Sequence, residues 1–322
     1  MIERLVLRLV ALTAALALPA WSAHAGLFHH QPKPPDDPLA AEFPNAKSQG
    51  HHKPKSDVKP TDVPDAQIDA IQRAIDEQRL TDAGNMLDRI LLTGAKDPRL
   101  ELLAGELDLA RGRFDDVLAD LKPVDGILVT RGKALECEGI ALSMLGKSDQ
   151  ALATLQQAVA DDPAAWRAWN ALAGEYDMRR DWIHAEAAYD HAINDSDSNA
   201  IVLNNRGYSR LLQGRFDEAR QDFVAALEKK PDLAAARTNL RLALAMKGEY
   251  DRATAAGAQD DQAALLNNAG FAAMMRGDYV AAEDLFTRAI AAKGVYYARA
   301  TENLAIAKTL AARQKEGGGE PH

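Results

Sequence analysis

The stretch "LNNRGYSRLLQGRFDEA" fills residues 203–219, and sixty-three residues later "LNNAGFAAMMRGDYVAA" fills 266–282. The two share a doubled Asn, a Gly followed by an aromatic (Gly207-Tyr208, Gly270-Phe271), a second Gly (Gly214, Gly277) and a closing Ala (Ala219, Ala282). Fixed glycines and alanines recurring over such a distance indicate a supersecondary unit used more than once.

The period emerges one phrase earlier. With Trp166 as position 1, Trp169 falls at position 4, Leu172 at 7, Tyr176 at 11, Ala185 at 20, Tyr189 at 24 and Ala192 at 27. This resembles the tetratricopeptide pattern of 34-residue helix–turn–helix units. Stepping by that period gives units 64–97, 98–131, 132–165, 166–199, 200–233 and 234–262, the last one shortened, then 263–296. Gly112, Gly146, Gly214, Gly248 and Gly277 all fall at position 15, the turn between the two helices. Ala83, Ala151, Ala185, Ala219, Ala253 and Ala282 fall at position 20, with Val117 the one larger residue. Gly139 and Gly207 at position 8 should let the helices of a unit approach closely, with the residue at 24 filling the space between units. Pro163 and Pro231 at position 32 separate one unit from the next, because Pro cannot continue a helix interior. A lone unit cannot bury its apolar face, so the units must stack. Two full periods would separate the opening phrases by 68 residues; the deficit of five places the irregularity in unit 234–262, whose second helix should stop near Gly257.

The expected fold is therefore all-α: a tetratricopeptide right-handed superhelical solenoid of about seven units, with a capping helix over 297–315 and a disordered tail over 316–322. Composition agrees, since the 322 residues are 47% hydrophobic but only 6% aromatic and rich in Ala and Leu. The net charge of −9 with no long basic run argues against nucleic acid as a partner.

Residues 1–25 read as an export signal: Arg4 and Arg8 precede an apolar run, and Ala23-His24-Ala25 forms a small-x-small cleavage site. Residues 26–63, dense in Pro, Lys, Asp and His, read as a disordered linker. Its pairs His29-His30 and His51-His52 lack the fixed geometry of a metal site. The single cysteine, Cys137, excludes an internal disulfide, and no Cys stands near the cleavage site to carry a lipid. The expected location is the periplasm, with any outer-membrane association through a partner.

In this family the first helix of each unit lines the concave surface with positions 2, 5, 6, 9, 12 and 13. The resemblance thus implies a groove whose C-terminal part contains Asn204, Asn205, Tyr208, Leu212, Asn239, Leu242, Met246, Asn267, Asn268, Phe271, Met275 and, in the capping helix, Asn303. An Asn amide both donates and accepts, so it can hold the main chain of an extended peptide whatever that peptide's sequence. Met supplies an adaptable apolar floor.

Enzymatic signatures are absent from the sequence. "LGKS" at 145–148 lacks the first glycine of a phosphate loop, and neither a His-Glu-x-x-His nor a Gly-x-Ser-x-Gly motif occurs. His184 and His191 read as surface residues. No cofactor is expected.

The segment from "NNRGYSRLLQGRFDEARQDFVAAL" through the shortened unit and "LNNAGFAAMMRGDYVAAEDLFTRAI" to "YYARATENLA" resembles the TadD family of Flp (tight adherence) pilus assembly proteins over residues 200–307. The resemblance implies a non-enzymatic exported scaffold that binds an extended segment of a pilus-machine component, the outer-membrane secretin among the candidates. A general periplasmic adaptor in envelope biogenesis, and more distantly an enzyme, remain as alternatives at this point.

Overall fold

The computed structural model describes residues 63–121, 128–196, 199–256, 261–293 and 297–317. Among these residues there are fifteen helices and no strand: α1 (Asp65–Asp76), α2 (Leu80–Leu91), α3 (Pro98–Ala110), α4 (Phe114–Leu121), α5 (Leu128–Met144), α6 (Ser148–Asp161), α7 (Trp166–Met178), α8 (Trp182–Asp195), α9 (Ala200–Leu212), α10 (Phe216–Lys229), α11 (Ala234–Met246), α12 (Tyr250–Ala253), α13 (Gln262–Met275), α14 (Tyr279–Lys293) and α15 (Ala298–Gly317). The expected export signal, the linker up to residue 62 with its His pairs, and residues 318–322 lie outside the described residues. Val63, which the sequence reading places in the linker, is buried against the first core cluster, and its carbonyl accepts from Arg99 Nη2 at 3.0 Å. Chain contacts divide the described residues into two compact units, 63–209 and 210–317.

Odd and even helices pair as hairpins, α1 with α2, α3 with α4, α5 with α6, α7 with α8 and α13 with α14. The turn that makes each hairpin has one conformational requirement. Position 15 adopts positive φ in all seven units, between 57° and 84°. Five of the seven are Gly, which reaches that region without a Cβ clash. The other two are Gln78 and Arg180, which share the turn position by register although their residue types do not favour the left-handed region.

Within a hairpin the close approach involves positions 8 and 24. A Cβ added at Gly105 would lie 2.7 Å from Leu121 Cδ2, at Gly139 2.7 Å from Leu155 Cδ2, and at Gly270 2.8 Å from Phe286 Cε1. The position-24 side chain therefore lies directly over the position-8 glycine of its own unit, in addition to filling the cluster it shares with neighbouring helices. The small residues at position 20, from Ala83 to Ala282, are all buried, as is Val117.

Successive units are clasped at their turns. A basic residue at position 14 reaches back to the preceding unit: Arg111 Nη2 donates to Leu80 O at 2.9 Å, Arg179 Nη2 to Asp149 Oδ1 at 2.9 Å, and Lys247 Nζ to Asp217 Oδ1 at 2.6 Å. Arg276 Nη1 donates to Met246 O in the same way. The clasp on Met246 O satisfies an acceptor at a helix C-terminus that has no partner inside the helix.

The shortened unit is shorter than the sequence suggests. Its second helix, α12, is a single turn ending at Ala253, and Thr254 Oγ1 donates to Tyr250 O at 2.8 Å. Position 8 of this unit is Arg241 rather than a small residue, and no position-24 side chain needs the space. Arg241 Nη2 instead donates to Ala255 O at 3.2 Å. Asp261 then opens α13, its Oδ1 accepting from the amides of Ala263 and Ala264 at 3.0 and 3.2 Å, while Lys293 Nζ bonds Oδ2 at 2.7 Å. The cap satisfies two of the four orphan amides at a helix start.

Candidate binding face and related proteins

The doubled Asn has a structural explanation. In unit 210–317, Asn303 Nδ2 on α15 donates to Asn267 Oδ1 on α13 at 3.1 Å, and Asn267 Nδ2 approaches Asn268 Oδ1 at 3.5 Å. In unit 63–209 the same relay recurs: Asn205 Nδ2 donates to Asn170 Oδ1 on α7 at 3.1 Å, and Asn204 Nδ2 donates to Asn205 Oδ1 at 3.2 Å. The first Asn of each pair is buried, with 4% exposure at both Asn204 and Asn267. It spends its amide on its neighbour and, at Asn267, on the next first-position helix. A buried amide left without partners would cost about 1–3 kcal/mol, so the pairing is what permits Asn there. Asn170, which completes the relay, was not among the sequence candidates; an Asn at position 5 of the Trp166 unit was the available signal.

The second Asn of each pair is placed differently. Asn268 is exposed and Asn205 half-buried. Among the described residues nothing accepts from Asn268 Nδ2, so this amide retains two donors and acceptor capacity. Asn303 is half-buried and Asn239 is buried at 8%. Of the apolar candidates, Leu242 and Met246 on α11 and Phe271 on α13 are half-buried, each with one side on the core cluster that contains Leu266 and Phe286. Met275, Leu212 and Tyr208 are half-buried as well. Helices α11 and α13 pack directly on each other, as do α13 and α15. The structure thus brings Asn239, Leu242, Met246, Asn268, Phe271, Met275 and Asn303 onto adjoining helices of one unit, and in the other it joins Asn205 to Asn170, with Asn204 and Tyr208 on the same helix as Asn205.

The equivalent positions of unit 63–209 are chemically unlike these. Glu106 is buried and accepts from Gln72 Nε2 at 2.6 Å and Lys133 Nζ at 3.1 Å, and Glu136 pairs with Arg167 at 2.5 Å. The neighbouring Lys133 and Arg167 charges and the Gln72 bond hold the Glu106 carboxyl below the usual range against the opposing effect of burial. Cys137 lies fully buried in the adjacent core cluster, and burial pushes its thiol far up. That placement is the one expected of an inert core thiol.

Two further groups depart from the sequence reading. His191 stacks on Trp169 with ring centroids 4.4 Å apart, and His184 tilts against Tyr176 at 5.3 Å while its Nδ1 lies 2.7 Å from Asp181 Oδ2. Both histidines cover aromatic rings of α7 rather than standing free on the surface. Asp177 accepts from Ser209 Oγ at 2.6 Å and Tyr189 OH at 2.9 Å, and burial pushes its carboxyl up to about 6 despite those two bonds.

Two family profiles described as tetratricopeptide repeat match the chain, one over residues 138–201 and one over 200–233. Residues 138–233 are tetratricopeptide repeats. Among solved structures, a chain of the APC/C hetero-tetramer Cut9–Hcn1 is similar with a TM-score of 0.53 and 16% identity, over 74% of this chain and 48% of that one. A tetratricopeptide repeat protein from Parabacteroides merdae aligns over 76% of this chain and 98% of its own, at 16% identity and a TM-score of 0.46. The Thermus thermophilus protein TTC0263 aligns over 56% and 98% respectively, at 19% identity and a TM-score of 0.49. No curated protein matches the chain in sequence. Stacked tetratricopeptide units are scaffolds for protein–protein interaction.

Proposed function

We propose that this protein is an exported adaptor in the assembly of Flp-type pili, and that it holds an extended segment of a pilus-machine component along the faces of α11 and α13. The observation that carries the binding role is Asn268. Its partner Asn267 is used up in stacking, while Asn268 itself stands exposed beside the half-buried Phe271 and Met275. A free amide between apolar side chains matches a main chain whose own amides are unpaired. The pilus assignment rests on the TadD resemblance of residues 200–307, above all on the truncated unit followed by "YYARATENL". The outer-membrane secretin is the first partner to test, and the expected location is the periplasm after cleavage behind Ala25. The protein acts without catalysis in this reading.

Surface pilus yield in a deletion strain, complemented with wild type or with Asn268→Ala/Met275→Ala at equal protein levels, tests both parts. Loss on deletion that only wild type restores supports them. Unchanged pili on deletion would remove the pilus assignment and leave a general envelope adaptor.

A further inference from the structure

The chemistry of the partner segment follows from what the binding face lacks. Positions 2, 5, 6, 9, 12 and 13 of α11 and α13 together supply twelve residues, and none is charged. The flanking cations are committed elsewhere: Arg241 to Ala255 O, Lys247 to Asp217, Arg276 to Met246 O. The only charges at the equivalent places on α15 are Arg299 and Glu302, one of each sign and both exposed. By contrast, the corresponding face of unit 63–209 carries the Glu106–Lys133 and Glu136–Arg167 pairs.

We infer that the α11–α13 face takes an extended, uncharged, apolar segment of its partner and rejects segments bearing Lys, Arg, Asp or Glu in the contact region. This rests on the binding role proposed above and specifies its ligand. A charged side chain laid against Leu242, Met246, Phe271 and Met275 would lose hydration and meet no opposite charge, and an uncompensated desolvated charge is strongly disfavoured. An apolar side chain there gains burial at no such cost. The segment is extended because a helix satisfies its own main-chain groups and would leave the Asn268 amide with nothing to bind.

The test is selection of a random dodecapeptide phage library on the full-length exported protein, with each enriched clone then assayed on Asn268→Ala and on Phe271→Ala. Asn268→Ala removes the acceptor of the buried Asn267 amide and Phe271→Ala removes a side chain packed on the core, so a thermal melt checks that both variants remain folded. The expected result is enriched peptides depleted in charged residues relative to the library, with capture weakened about tenfold by either substitution, equivalent to about 1.4 kcal/mol. Enriched peptides that depend on these residues but carry charges at the library frequency would overturn the inference while leaving the binding role intact. If nothing is enriched, or enriched clones ignore both substitutions, the binding role fails and the inference with it.

Discussion

Arg180 holds the turn of its hairpin at φ 57°, where five of the other six units use Gly. An L-residue in the left-handed region costs about 1–2 kcal/mol. Replacing Arg180 by Gly removes that cost but adds unfolded-chain entropy of about 0.5–1 kcal/mol. The side chain is exposed, so little packing is lost. The net expectation is a stabilisation of about 0.5–1 kcal/mol. The converse substitution, Gly214→Ala, isolates the same term, because a Cβ there would meet nothing within 4 Å at φ 78°. It should destabilise by about the same amount. Urea unfolding followed by far-ultraviolet circular dichroism, with both variants and wild type side by side, measures the pair. Opposite signs are required. A destabilised Arg180→Gly, or a Gly214→Ala indistinguishable from wild type, would refute the argument that this position is selected by backbone conformation.

Other consequences are equally accessible. Gly270→Ala places a Cβ 2.8 Å from a buried aromatic ring that cannot yield cheaply, so overpacking should outweigh the helix-propensity gain and lower stability by about 1 kcal/mol; Gly174→Ala, in a helix with open space around it, should raise stability by about the same amount in the same denaturation assay. The Asp177 carboxyl is raised from 3.8 to about 6 in the folded state, so its contribution to stability is fully present below pH 3.8 and lost as pH rises through 6. Asp177→Asn should therefore be more stable than wild type at pH 8, by up to about 3 kcal/mol, with the difference shrinking toward pH 4; a constant difference across that range would contradict the assignment. Cys137 should resist thiol reagents in the native protein and react fully in denaturant, and rapid native labelling would show that its core cluster opens.

The repeat period, the turn glycines and the buried alanines were legible because each is a local demand recurring at a fixed distance. Gln78 and Arg180 were marked by register alone, since an L-residue forced into a left-handed turn has no sequence signature of its own. The position-8 glycines Gly139 and Gly207 marked the close approach of the two helices, but position 24 was assigned to the space between units, because its contact with position 8 joins residues about half a period apart. The doubled Asn was recognised as meaningful, but its division of labour was hidden. The bond from Asn205 to Asn170 crosses between units, and position 5 looked like a second groove residue rather than a relay. The histidines of α8 were misread as surface because their aromatic partners, Trp169 and Tyr176, lie on the preceding helix.

The most direct test of the central claim is site-specific photo-crosslinking in piliated cells, with a photoreactive amino acid in place of Asn268 and, as the control, in place of the exposed Arg288 on α14. The account predicts a protein adduct from position 268 that contains a component of the pilus machine and is absent from position 288. No adduct from 268, or the same adducts from both positions, would contradict it.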